Sequence, residues 1–88
     1  MDEKNAIKVL IATAEHDITG YLYAPNASEM DSKKKKAVLL GAINGQNRFI
    51  TLWDCTVTLR DDVNYIPENF EFYNINLSII HFCTTVSK

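Results

Sequence analysis

Arg48-Phe49-Ile50-Thr51-Leu52-Trp53-Asp54-Cys55-Thr56-Val57-Thr58-Leu59 is the longest run in this chain dense in β-branched and aromatic residues. Such residues suit a pleated, half-buried surface. Alternation puts Phe49, Thr51 and Trp53 on one side and Ile50 and Leu52 on the other. Asp54 interrupts the pattern, and Cys55, Val57 and Leu59 then resume at period two. A bend or bulge at Asp54 is the physical way to re-aim the second half of such a strand. A small curved sheet follows more naturally than a flat one.

Strand material lies on both sides of this centre. Ile7 to Thr13 reads as a first strand with Ile7, Val9 and Ile11 on one face, and Glu15-His16-Asp17 as a turn. Ile18 to Ala24 closes a hairpin on it. Gly20, inside that second strand, marks a bend or the close approach of another backbone. Pro25-Asn26 ends the strand, because proline has no N–H for the ladder. Asn26 to Lys36 is polar, and the run Lys33-Lys34-Lys35-Lys36 reads there as a solvated loop. Residues 37–44 fit either a short helix or a short strand, with the helix favoured. Leu39, Leu40 and Ile43 would share its face, Asp31 or Ser32 would cap its start, and Gly45 stands at a C-cap position. Gly41 and four lysines at the first turn oppose that helix.

After the central run, residues 60–69 read as a polar loop whose Tyr65 and Ile66 tuck back onto the core. Phe70 to Val86 is nearly continuous strand material, split in two near Asn76-Leu77-Ser78 because Ile79-Ile80 breaks the alternation. The expected fold is mainly β: a five-stranded, strongly bent small barrel, with one short helix between strands 2 and 3. Residues 1–88 leave room for one domain and one modest core.

Composition narrows the function classes. Nearly half the residues are apolar, 47%, which excludes a disordered chain. Net charge is −2, so the molecule as a whole does not attract a polyanion. The charge is uneven, with seven Lys/Arg against six Asp/Glu in residues 1–48 and two against five in residues 49–88. The N-terminus lacks the basic start and apolar stretch of a signal peptide, and no window approaches the ~18 apolar residues of a spanning helix. A cytoplasmic protein without a membrane partner is the expectation. There Cys55 and Cys83, 28 positions apart, read as buried small hydrophobes rather than a disulfide or redox pair.

The order of these pieces resembles the Sm-like members of the SH3-type barrels, and more closely a family of short bacterial Sm-like proteins of uncharacterised function. The shared features are Ile18-Thr19-Gly20-Tyr21-Leu22-Tyr23, Leu39-Leu40 with Asn44, Phe49-Ile50-x-Leu52-x-Asp54-x-x-Val57, and Phe72-x-x-Ile75-Asn76-x-x-Ile79. Together they span most of the chain. The resemblance implies a barrel that forms homo-oligomers. RNA-binding Sm proteins carry an Asp and an Asn after the second strand and an Arg-Gly pair before the last. Here those places hold Pro25-Asn26 and Ile75-Asn76-Leu77-Ser78, so the family's RNA site does not carry over. Its usual opening helix also has no room in residues 1–6.

Candidate chemistry is sparse. Cys55 with His16 or His81 is a conceivable nucleophile and base, but no motif brings them together. His81 and Cys83 would share a strand face as two metal ligands, fewer than the about four a structural zinc needs. Asp54 reads as a structural carboxylate pinning the bend, with a functional carboxylate as the alternative. Lys33 to Lys36 are candidate phosphate contacts. Tyr21, Tyr23, Trp53 and Tyr73 exceed what one small core face needs and mark a candidate interaction surface. No catalytic, metal or cofactor site is expected. The leading expectation is a non-enzymatic module that binds itself or another protein. Nucleic-acid binding through the lysines and exposed aromatics is the alternative.

Overall fold

The computed structural model describes residues 2–62 and 64–86; Met1, Val63, Ser87 and Lys88 lie outside it. Five strands, β1 (Ala6–Ala12), β2 (His16–Tyr23), β3 (Phe49–Leu59), β4 (Glu68–Asn76) and β5 (Phe82–Thr85), form one antiparallel sheet in the order β4-β3-β2-β1-β5. A single α-helix, α1 (Ser32–Asn44), lies between β2 and β3 and packs against β5. Among the described residues β4 and β5 do not pair, so the sheet is open rather than closed into a barrel.

The sheet must nevertheless coil. Its two edge strands are joined only by residues 77–81, which include a 3-10 turn at Leu77–Ile79. Four strand spacings of about 4.8 Å would hold the edges of a flat sheet about 19 Å apart. A link that rises only about 2 Å per residue through its 3-10 turn falls short of that. The link is anchored at both ends, with the Leu77 N–H donating to the Arg48 carbonyl (2.8 Å) and the His81 N–H to that of Ala12 (2.8 Å).

The bend expected at Asp54 is present, and the register locates it. Thr19 pairs with Thr56 and Tyr21 with Trp53, so Gly20 alone stands opposite Asp54 and Cys55. Asp54 takes the left-handed conformation, φ 49°, as the extra residue of a bulge often does. The inward positions therefore switch from Ile50 and Leu52 to Cys55 and Val57. A Cβ on Gly20 would sit 2.9 Å from Cys55 Sγ and 3.1 Å from the Trp53 carbonyl oxygen, which explains a glycine here. Ile7, Val9, Ile11, Ile18, Leu22 and Ile75 complete the core face of the sheet.

Arg60 locks the β1–β2 turn to the end of β3. Its Nη2 donates to Asp17 Oδ1 (2.7 Å) and to the carbonyls of Thr13 (2.8 Å) and His16 (3.2 Å), and its Nε also reaches Asp17 Oδ1 (3.1 Å). The strand β2 accordingly begins at His16, within the expected turn.

Four local expectations change. The lysine run is helical, because α1 starts at Ser32 with Asp31 Oδ1 accepting from the Lys34 N–H (2.8 Å). Leu40 points outward, while Lys35, Val38, Leu39, Ala42 and Ile43 form the inward stripe at helical spacing. Ile66 is 81% exposed rather than tucked in. Within that connection the Tyr65 hydroxyl donates to Glu68 (2.6 Å), and Tyr65 meets His16 edge-on. Gly45 does follow the helix, but its backbone is extended, so no left-handed cap is formed.

Candidate functional site

The sheet has a core face and a solvent face, and the solvent face is aromatic. Burial of Ile18, Gly20 and Leu22 turns Tyr21 and Tyr23 outward, and burial of Ile50 and Leu52 turns Phe49 and Trp53 outward. Tyr21 stands opposite Trp53 across β2–β3, and Trp53 opposite Phe72 across β3–β4. Lys8 on β1 stands opposite Tyr21 at the other end of this row. The Trp53 and Phe72 rings pack at 5.6 Å and 45°, within the range of favourable aromatic pairs. Phe72 and Phe49 are 52% and 53% exposed. The row thus runs Lys8, Tyr21, Trp53, Phe72 and ends on β4, an edge strand with no further neighbour among the described residues.

Polar side chains border it. Thr51 and Thr56 of β3 donate to the Asn74 and Asn69 side chains of β4, holding the two strands together on this face. Glu71 is exposed on β4 next to Phe72, whereas Glu68, also exposed, pairs with the buried Val57 and so belongs to the other side of the strand. The single salt bridge found among the described residues, Arg60 to Asp17, lies at the β1–β2 turn and offers the β4 carboxylates nothing.

Phe72 and Phe49 belong to this surface but are absent from the expected set. Their signal was the alternation itself, Phe49-x-Thr51-x-Trp53, with Phe72 in the facing strand. Tyr73 lies on the opposite face, paired with Leu52, stacked on Phe70 at 5.2 Å and packed against the core. Tyr23 is outward and 56% exposed, and Tyr21 is half-buried.

The lysines sit at the far edge. Lys33, Lys34 and Lys36 are exposed on α1, while Lys35 is half-buried. Lys35 and Lys8 line an open cleft of about 590 Å³ together with Glu3, Tyr21 and Ser32. A smaller groove of about 160 Å³ runs between α1 and β5, with Leu39, Leu40 and Cys83 beside Lys36.

The remaining candidates are kept apart. His16 pairs with Leu59, four residues along β3 from Cys55, a separation of about 13 Å. Cys55 is buried, and burial with the nearby Asp54 charge pushes its thiol from the usual 9.0 up to about 11. A thiol so disposed is a poor nucleophile at neutral pH. The Cys83 thiol is also raised by desolvation, and both cysteines are free. No group of three or more metal-ligating side chains occurs among the described residues, His81 and Cys83 included. Asp54 is exposed at the bulge, and it is not without a partner. No helix among the described residues is long and apolar enough to cross a membrane. No family model, curated protein or solved structure matches this chain.

Proposed function

We propose that the chain is a non-enzymatic protein-interaction and self-assembly module on a small Sm-like, SH3-type barrel, with the outer face of β2–β4 as its contact surface. One observation carries this: Tyr21, Trp53 and Phe72 form a continuous aromatic row that ends on an edge strand whose outer side has no strand partner among the described residues. Aromatic residues at the solvent face of a small domain are what protein interfaces concentrate, because they bury much area with few torsions to fix. An open edge adds unpaired backbone groups for a partner. The barrel assignment is supported by the consecutive antiparallel order and by the short link that joins the two edge strands. The burial of Cys55 and its raised thiol pKa weigh against cysteine catalysis.

A second role, binding single-stranded nucleic acid, is favoured by the cleft in which Lys8 and Lys35 flank Tyr21. The exposed carboxylate of Glu71, next to Phe72 at the opposite end of the row, opposes a phosphate backbone and ranks it second.

Molar mass by light scattering separates these roles. The wild type is expected to exceed its 10.0 kDa chain mass as concentration rises. The Trp53→Ser, Phe72→Ser double variant is expected to remain monomeric with its fold intact. A variant that associates like the wild type contradicts the surface assignment. Oligonucleotide binding that weakens steeply with salt, without self-association, would establish the second role instead.

A further inference from the structure

We infer that the cleft between the start of α1 and the paired strands β1 and β5 binds a small phosphate monoester with a compact apolar body. The inference does not depend on the self-assembly role proposed above. Two cations from separate elements line the cleft. Lys8 stands on the outer side of β1, opposite Tyr21 of β2. It also adjoins the end of β5, where the Val86 N–H donates to the Lys8 carbonyl (2.9 Å). Lys35 stands one turn before the buried Leu39, so the helix turns it toward the sheet while Lys33, Lys34 and Lys36 are exposed. Both Lys8 and Lys35 are half-buried, and neither forms an ion pair among the described residues. Like charges held partly out of water around one cavity repel each other, and an anion between them removes that repulsion.

The rest of the lining selects the anion. Lysine is a point charge without the planar fork that grips a carboxylate in two places, and it is a common phosphate partner. Two of them match the charge of about −1.5 to −2 that a phosphate monoester carries near pH 7. Tyr21, Ser32 and Thr85 add hydroxyls for the remaining phosphate oxygens, and none of these is hydrogen-bonded among the described residues. Ala6, Ile7 and Val86 give the cleft an apolar wall, which favours a ligand with an organic body over inorganic phosphate. Its volume of about 590 Å³ is that of a small-ligand site. Glu3 is the carboxylate in the lining. Two cations and one anion therefore face the cleft, enough positive charge for one phosphoryl group and not for a strand of them.

Lysine stems also cover apolar surface, a role that needs no charge, so the test keeps the stems. Lys8→Met and Lys35→Met remove only the ammonium groups. Backbone amide NMR shifts are followed as phenyl phosphate is added at about 0.1 M salt, with phenyl sulfate and benzyl alcohol as singly charged and neutral counterparts. Phenyl phosphate should give saturable shifts confined to the cleft and bind more tightly than either counterpart. Each variant should bind about tenfold or more weakly, as loss of a charge-assisted hydrogen bond predicts, with its thermal midpoint unchanged. Lys34→Met should bind as the wild type does. Affinity should fall as pH drops below about 6, where the phosphate gains its second proton. Three outcomes overturn the inference: shifts that do not saturate or lie away from the cleft, equal binding of phenyl phosphate and phenyl sulfate, or Lys8 and Lys35 variants that bind as the wild type does. A single-stranded oligonucleotide that binds through Lys8 and Lys35 while phenyl phosphate does not also overturns it, and gives the cleft to the nucleic-acid role.

Discussion

At Gly20 the cost of a single methyl group is set by the strand opposite. Gly20→Ala would press its Cβ on Cys55 Sγ, Leu52 Cβ and the Trp53 carbonyl, and overpacking of this kind costs about 1–3 kcal/mol. Denaturant unfolding of Gly20→Ala, Cys55→Ala and the double variant should show positive coupling, since Cys55→Ala removes the nearest contact. Equal stability of Gly20→Ala and wild type would contradict the close approach. Asp54 is the other half of this feature. With φ at 49°, a β-branched replacement is strained by about 1–2 kcal/mol per residue in the left-handed region. Asp54→Val should therefore be less stable than Asp54→Gly in a melt. Cys55 adds a pH signature. Folding raises its thiol from 9.0 to about 11, so the folded state holds the proton more tightly than the unfolded one. That contribution is complete below about pH 9.0, is lost as pH rises toward about 11, and should vanish from the stability–pH profile of Cys55→Ser.

Among the elements, α1 shows how far sequence reading reaches. A helix was favoured over a strand for residues 37–44, with Asp31 or Ser32 as its cap, but the true start at Ser32 was not legible, because four lysines argue against a helical first turn. Lysine is intrinsically a good helix former, and the Asp31 cap outweighs the dipole term. Asp31→Ala should cost about 1 kcal/mol in thermal or denaturant unfolding; no change would mean the cap is idle. The inward stripe was misjudged at Leu40, since 39, 40 and 43 fit a helical face as well as 38, 39, 42 and 43 do. Only packing against the sheet decides between them. The bulge was legible because one inserted residue shifts a period-two pattern by a single position, as Asp54 does between Leu52 and Cys55. The break at Asn76–Ser78 was legible for the same reason, and the 3-10 turn at Leu77–Ile79 occupies it. Which face of β3 meets water was not legible, because both faces carry apolar residues, and Phe49 and Phe72 were missed on that account.

For the whole molecule, curvature and charge separation are the organising features. A five-residue link drags the edges of an open sheet toward each other, yet leaves the outer edge of β4 without a strand partner among the described residues. The carboxylates gather on that edge and the lysines on the helix beside the other. A small domain of this kind has its largest uncovered aromatic surface where its backbone is also uncovered. The chain carries one tryptophan, and it stands in the middle of that surface. Trp53 emission and acrylamide quenching, followed against protein concentration alongside molar mass, therefore report the contact itself. Association through this face predicts a blue shift and falling quenching that track the rise in mass. A rising mass with an unchanged Trp53 spectrum, or no rise in mass at any concentration, would contradict it.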